Sequence, residues 1–141
     1  MVRTTLLFAA LFAVLPSAQA QDRIALTHAI YVESIGGNDG SRTLEPAAQL
    51  RRGDRVVLMI DWSGAEARKG TMVQSAIPSA LKYQRSSLET IEVSVDGGRN
   101  WGRIGQLRMG ERMAWPEEVT HLRMRVTGTR TGRITYSAIV R

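Results

Sequence analysis

The sequence predicts an all-β protein, an antiparallel sandwich of about seven strands. Three observations carry that expectation. Apolar and polar residues alternate with period two in several separate stretches. Glycine-rich and Asp-Gly turn signals stand between those stretches. No long segment shows a helical period. Regularly spaced short strands with turns between them are the pattern of a sandwich or barrel.

The first 20 residues read as a cleaved secretory signal rather than as part of the fold. Met1-Val2-Arg3 is a short basic start, Leu6 to Leu15 is apolar, and Ala18-Gln19-Ala20 is a small-x-small cleavage site. A membrane anchor would need about 20 apolar residues, and this run is shorter. Nothing downstream is long and apolar enough to replace it, so the expected mature chain is a soluble, exported, single domain over residues 21–141, periplasmic or secreted. It holds no cysteine. Disulfides, cysteine-based zinc sites and thiol catalysis are therefore excluded, and packing with backbone pairing must supply the stability.

The strands follow in order. Ile24, Leu26, His28, Ile30 and Val32 alternate with Ala25, Thr27, Ala29, Tyr31 and Glu33, which predicts a strand with one buried face. Gly36 to Ser41 and Arg52-Gly53-Asp54 are turns. Between Arg55 and Trp62 the run is almost continuously apolar, as in a strand that is central or buried on both faces. Gly70 to Ile77 is a weaker strand, stopped by Pro78, and Thr90 to Val95 is β-branched and alternating. Trp101 to Leu107 is its expected hairpin partner. Val119 to Thr127 and Arg133 to Val140 close the set, paired with each other through a turn at Gly128 to Gly132. Single helical turns are expected at Pro46 to Leu50 and Pro78 to Leu81.

SVDGGRNW, Ser94 to Trp101, is similar to the Asp-box turn that recurs around sialidase-like propellers. A propeller blade needs about 40 residues, so one copy here cannot belong to a propeller. Its residues have structural work instead. Asp96 can accept from the amides that follow it, Gly97 and Gly98 can take positive φ, and Trp101 can lie across the base of the turn.

Three segments read together resemble the conserved-repeat domain of bacterial surface proteins, the domain-of-unknown-function family numbered eleven. They are LRRGDRVVLMIDW (Leu50 to Trp62), MVQSAIPSALKYQRSS (Met72 to Ser87) and the S-x-D-G-G turn followed by tryptophan; VTHLRMRV and GRITYSAIV then close the pattern. The resemblance implies an immunoglobulin-like sandwich and an uncharacterised surface-protein role.

The formal net charge is +6, and all but two of the basic residues are arginine. From Arg99 to Arg141 nine arginines face only Glu111, Glu117 and Glu118. Such an excess favours anionic partners. Export argues against nucleic acid and for an envelope protein or an anionic polysaccharide or lipopolysaccharide. On the strand from Val119 to Thr127, Leu122, Met124 and Val126 share the core side, which leaves His121, Arg123 and Arg125 on the solvated side. With Arg133 placed beside them by the expected hairpin, these form the candidate anion-binding face.

No catalytic constellation is legible. His28 and His121 have no metal-like neighbours in sequence, Asn38-Asp39-Gly40 lacks the ligand series of a calcium loop, and Ser63 and Ser79 lack a nucleophile elbow. Glu117 and Glu118 are adjacent, and in a strand they would point to opposite faces. The expectation is a non-catalytic interaction or structural module without cofactor or metal. The alternative is a module that binds an anionic glycan or lipid head group.

Overall fold

The computed structural model describes residues 25–36, 39–64, 71–128 and 131–141. The expected signal segment and Ile24 lie outside the described residues, as do Gly70 and part of the Gly36 to Ser41 turn.

The described residues form ten strands: β1 (Ala25–Gly36), β2 (Ser41–Pro46), β3 (Arg55–Ser63), β4 (Thr71–Ala76), β5 (Leu81–Ser86), β6 (Glu92–Ser94), β7 (Arg108–Met109), β8 (Arg112–Met113), β9 (His121–Val126) and β10 (Thr131–Val140). The larger sheet has the order β2-β1-β3-β10-β5 and the smaller one β4-β9-β6; β7 and β8 form a separate two-residue ladder. All pairings are antiparallel. The all-β antiparallel sandwich is therefore present.

Pleating decides what each strand buries. In β3 the even residues Val56, Leu58, Ile60 and Trp62 point inward, with exposures of 7 % or less. In β10 Ile134, Tyr136, Ala138 and Val140 also point inward. From the facing sheet Val73, Val93, Leu122 and Val126 complete one continuous core. Burying side chains of this size stabilises by about 1.5–3 kcal/mol each, which is how a chain without disulfides holds together. Tyr83 and Tyr136 meet in it with ring centroids 6.0 Å apart, and burial raises both phenol pKa values.

Several expectations need correction. β9 and β10 are not a hairpin: β9 pairs with β4 and β6, while β10 pairs with β3 and β5 in the other sheet. The connection crosses between sheets, which a residue pattern cannot distinguish from a hairpin. Trp101 to Leu107 is not a strand but touches β6 through a single bridge, Val93 to Gly102. β2 went unforeseen because all six of its residues are exposed, so no alternation marks it. β5 went unforeseen because its ladder with β10 shifts register at Ser137/Ala138, which breaks the period after Tyr83. No helical turn forms at Pro46 to Leu50, and Pro78 to Leu81 makes a single turn closed by the Leu81 amide on the Pro78 carbonyl at 2.9 Å rather than a helix; the described 3-10 turn is Pro116–Glu118. Glu117 and Glu118 thus sit in a turn rather than a strand. β3 is central as expected, but Val57, Met59 and Asp61 on its outer side stay half-buried.

Candidate functional site

The SVDGGRNW turn is closed on itself. Ser94 is fully buried and its hydroxyl donates to Asp96 Oδ1 at 2.8 Å, while accepting from the Gly98 amide at 2.9 Å. Asp96 Oδ1 also takes the Arg99 and Asn100 amides at 3.1 and 2.9 Å, and Oδ2 takes Asn100 Nδ2 at 2.6 Å. These bonds, the Asn100 amide first, hold the carboxyl far below the usual range. Gly97 and Gly98 lie at φ 79° and 88°, as the turn reading requires. Trp101 Nε1 donates to the Gly98 carbonyl at 2.8 Å. Thr120 fastens the turn to β9: its hydroxyl accepts from the Gly97 amide at 3.1 Å and lies 3.1 Å from the Ser94 carbonyl. Both carboxylate oxygens of Asp96 are thus engaged within the turn.

The outer face of the smaller sheet carries the predicted side chains. His121 and Arg123 are half-buried and Arg125 is exposed, while Leu122 and Val126 are buried on the core side. Arg123 donates through Nε to Glu92 Oε2 at 2.8 Å and lies over the Trp101 ring, 4.4 Å from its centroid. His121 meets the same ring edge-on at 6.4 Å, and its Nδ1 lies 3.0 Å from Thr120 Oγ1. Arg123, Arg125 and Arg103 line a cleft of about 580 Å³ together with Glu92, Trp101 and Gln106. Arg103 was not singled out from the sequence.

Arg133 does not belong to this face. It lies in the larger sheet, directly opposite Asp61, and donates to both of its carboxylate oxygens at 2.6 and 3.1 Å. That bidentate pair lowers the Asp61 pKa and spends the Arg133 charge. His28 is exposed on β1, with Nε2 3.2 Å from Ser75 Oγ of β4 in the other sheet. Among the described residues no group of three or more histidine or acidic side chains is gathered as a metal site.

The two glutamates of the 3-10 turn have separate partners. Glu117 accepts from Gln84 Nε2 at 3.3 Å. Glu118 accepts from Arg112 through both oxygens, and from the Trp115 amide at 2.8 Å. The Arg112 bond first, then the amide, bring the Glu118 pKa from an ordinary 4.5 down to about 2. A carboxyl depressed on folding adds stability above its unfolded pKa, and that stability is lost as pH falls through the folded value. Glu118→Gln should therefore lower the melting temperature at neutral pH, with the gap from the parent shrinking as pH falls from 4.5 toward about 2. Melts at a series of acid pH values check this. A gap independent of pH would contradict it.

The fold and these surfaces define a β-sandwich with arginine-bearing outer faces and a closed Asp-box-like turn. No family model, curated protein or solved structure matches the chain. No helix among the described residues is long and apolar enough to cross a membrane.

Proposed function

We propose that this protein is an exported, non-catalytic interaction module of the bacterial envelope, and that it binds a protein partner along the open edge of β2. The observation that carries this reading is the β1–β2 hairpin. Residues 33–36 of β1 pair with β2 but not with β3, so the hairpin runs past the sandwich. β2 is the terminal strand of its sheet and is exposed throughout. An edge of this kind presents backbone donors and acceptors to an added strand. Ile35 and Leu44 stand on one face of the hairpin, 69 % and 44 % exposed, and offer apolar contact beside that edge. The resemblance of the motif order to the surface-protein repeats, read from the sequence, is what suggests the envelope role.

The chain has no cysteine, so Thr43→Cys gives a single attachment point on β2 for a crosslinker. A discrete crosslinked species in intact cells is expected, and adding Leu44→Lys should abolish it by placing a charge at the edge. Crosslinking that ignores Leu44→Lys would remove the reading.

A second reading rests on the cleft lined by Arg103, Arg123 and Arg125 beside Glu92 and Trp101. It supports binding of an anionic glycan or lipopolysaccharide. The double variant Arg123→Ser/Arg125→Ser should then lose binding to acidic polysaccharide, and wild-type binding should weaken steeply between about 0.05 and 0.5 M salt. Salt-insensitive, unchanged binding would leave these arginines as a solvated face.

A further inference from the structure

A different group of arginines converges at the foot of the hairpin, on the outer face of the larger sheet. Arg42 comes from β2, Arg55 from the start of β3 and Arg85 from β5. Together with Glu33, Val57, Gln84 and Ser137 they line a cleft of about 370 Å³. We propose that this cleft binds a phosphate group, held by Arg42, Arg55 and Arg85.

The sequence hides the cluster, because its members are spread over 53 positions from Glu33 to Arg85. Strand pairing assembles it. Tyr31 on β1 lies opposite Val57 on β3, Val57 opposite Ser137 on β10, and Ser137 opposite Arg85 on β5. That row crosses the sheet, and its Val57 and Ser137 line the cleft between the arginines.

Glu33 organises the arginines without cancelling them. Its Oε1 accepts from Arg42 Nη1 at 3.0 Å, and its Oε2 lies 4.0 Å from Arg55 Nε. The Glu33 side chain is only 11 % exposed, whereas those of Arg42 and Arg55 are 53 % and 54 % exposed. One covered carboxylate thus steadies two guanidiniums whose remaining N–H groups stay available. Each guanidinium carries five donors in a fixed fork. The Arg85 guanidinium has no carboxylate or hydrogen-bond partner among the described residues, and Arg85 is exposed. Glu117 accepts from Gln84 Nε2 at 3.3 Å but is not among the residues that line the cleft.

The lining groups therefore hold three positive charges and one negative. One carboxylate beside three guanidiniums leaves an excess of positive charge on this face, and the Glu33 pairs with Arg42 and Arg55 do not account for Arg85. Planar forks converging from several strands match the oxygens of a phosphate better than a single carboxylate. The rim indicates what the phosphate is attached to. Leu44 stands directly opposite Glu33, and Ile35 opposite Arg42, so both exposed apolar side chains share the outer face with the cleft. A phosphate that carries an apolar tail would find both halves of its chemistry there. The inference rests on the cleft's own residues and not on strand addition at β2.

The test uses the mature chain with inorganic phosphate, and with vesicles of phosphatidylcholine alone or mixed with phosphatidylglycerol. Wild type should bind the mixed vesicles or free phosphate, and phosphatidylcholine alone far more weakly, because its choline cation offsets the phosphate charge and repels the arginines. Arg85→Ser should weaken that binding about tenfold with melting temperature unchanged, the weight of one charge-assisted contact. Arg42→Ser should weaken it similarly, whereas Arg123→Ser/Arg125→Ser should not. Binding of free phosphate that competes with vesicles supports a site reading phosphate alone. Vesicle binding resistant to free phosphate, yet lost in Arg85→Ser and in Leu44→Ser, supports a lipid phosphate. Binding that survives Arg85→Ser, that follows Arg123 and Arg125 instead, or that is absent for both probes overturns the proposal. Loss of partner crosslinking at β2 with phosphate binding intact would refute only the strand-edge reading.

Discussion

Replacing Gly132 by alanine is expected to destabilise the sandwich by about 1–2 kcal/mol. Gly132 on β10 lies directly opposite Trp62 on β3. A Cβ built there would meet the Trp62 ring at 1.9, 2.4 and 2.5 Å. Trp62 is 7 % exposed and belongs to the core, so its indole has nowhere to swing. Inserting an atom into a packed core costs about 1–3 kcal/mol through displaced side chains and backbone. Alanine would recover about 0.5–1 kcal/mol of strand preference over glycine, so overpacking wins. A double-mutant cycle isolates the cause. Trp62→Leu removes the ring, and in that background Gly132→Ala should be close to neutral. The indole N–H has no hydrogen-bond partner among the described residues, so Trp62→Leu breaks no described hydrogen bond and its loss is one of packing. Equal melting temperatures for Gly132→Ala and the parent would show that the indole does not lie on Gly132.

That contact illustrates what the sequence could and could not reveal. Gly132 reads locally as part of a turn, because nothing near it in the chain names Trp62 as its neighbour. Alternation, by contrast, is a local signal, and it placed Leu122 and Val126 on the core side with Arg123 and Arg125 opposite. The continuous apolar run of Arg55 to Trp62 marked β3 as central without saying which residues point inward. It could not identify β2, where Ser41 to Pro46 are all exposed and no period exists. It also could not say which sheet each strand joins. Arg133 was assigned to the wrong face for that reason. Its true neighbour Asp61 is 72 positions away in the chain. The turn at Ser94 to Trp101 was legible because its bonds are short-range and its glycines mark positive φ. The Arg42–Arg55–Arg85 cleft was not, since only the register across β1, β3, β10 and β5 brings those residues together.

The turn supplies the other large effect. Ser94→Ala should cost about 1–3 kcal/mol, more than the substitution of any exposed residue in SVDGGRNW. The Ser94 hydroxyl is fully buried, donates to Asp96 and accepts from the Gly98 amide, with the Asp96 amide at a longer 3.4 Å. Alanine removes that acceptor and leaves the Gly98 amide without it, and an unsatisfied buried donor costs its desolvation. Gly98→Ala should cost about 1–2 kcal/mol for a different reason, the left-handed penalty of a side chain. Its Cβ would sit 3.4 Å from the Trp101 ring, ordinary contact distance, so conformational strain decides the outcome rather than a clash. Gly97→Ala, at φ 79° with open space around it, should show the strain term alone. The two glycine variants should then fall close together in chemical denaturation, with Ser94→Ala at least as low. Because Trp101 reports to Arg123 through ring contact, its fluorescence should shift in Ser94→Ala and Gly98→Ala. Phosphate binding at Arg85 should stay as in the parent, since that cleft lies on the other sheet. A fully stable Ser94→Ala protein would mean that the turn does not depend on this hydroxyl, and the structural account of the Asp-box-like turn would fail.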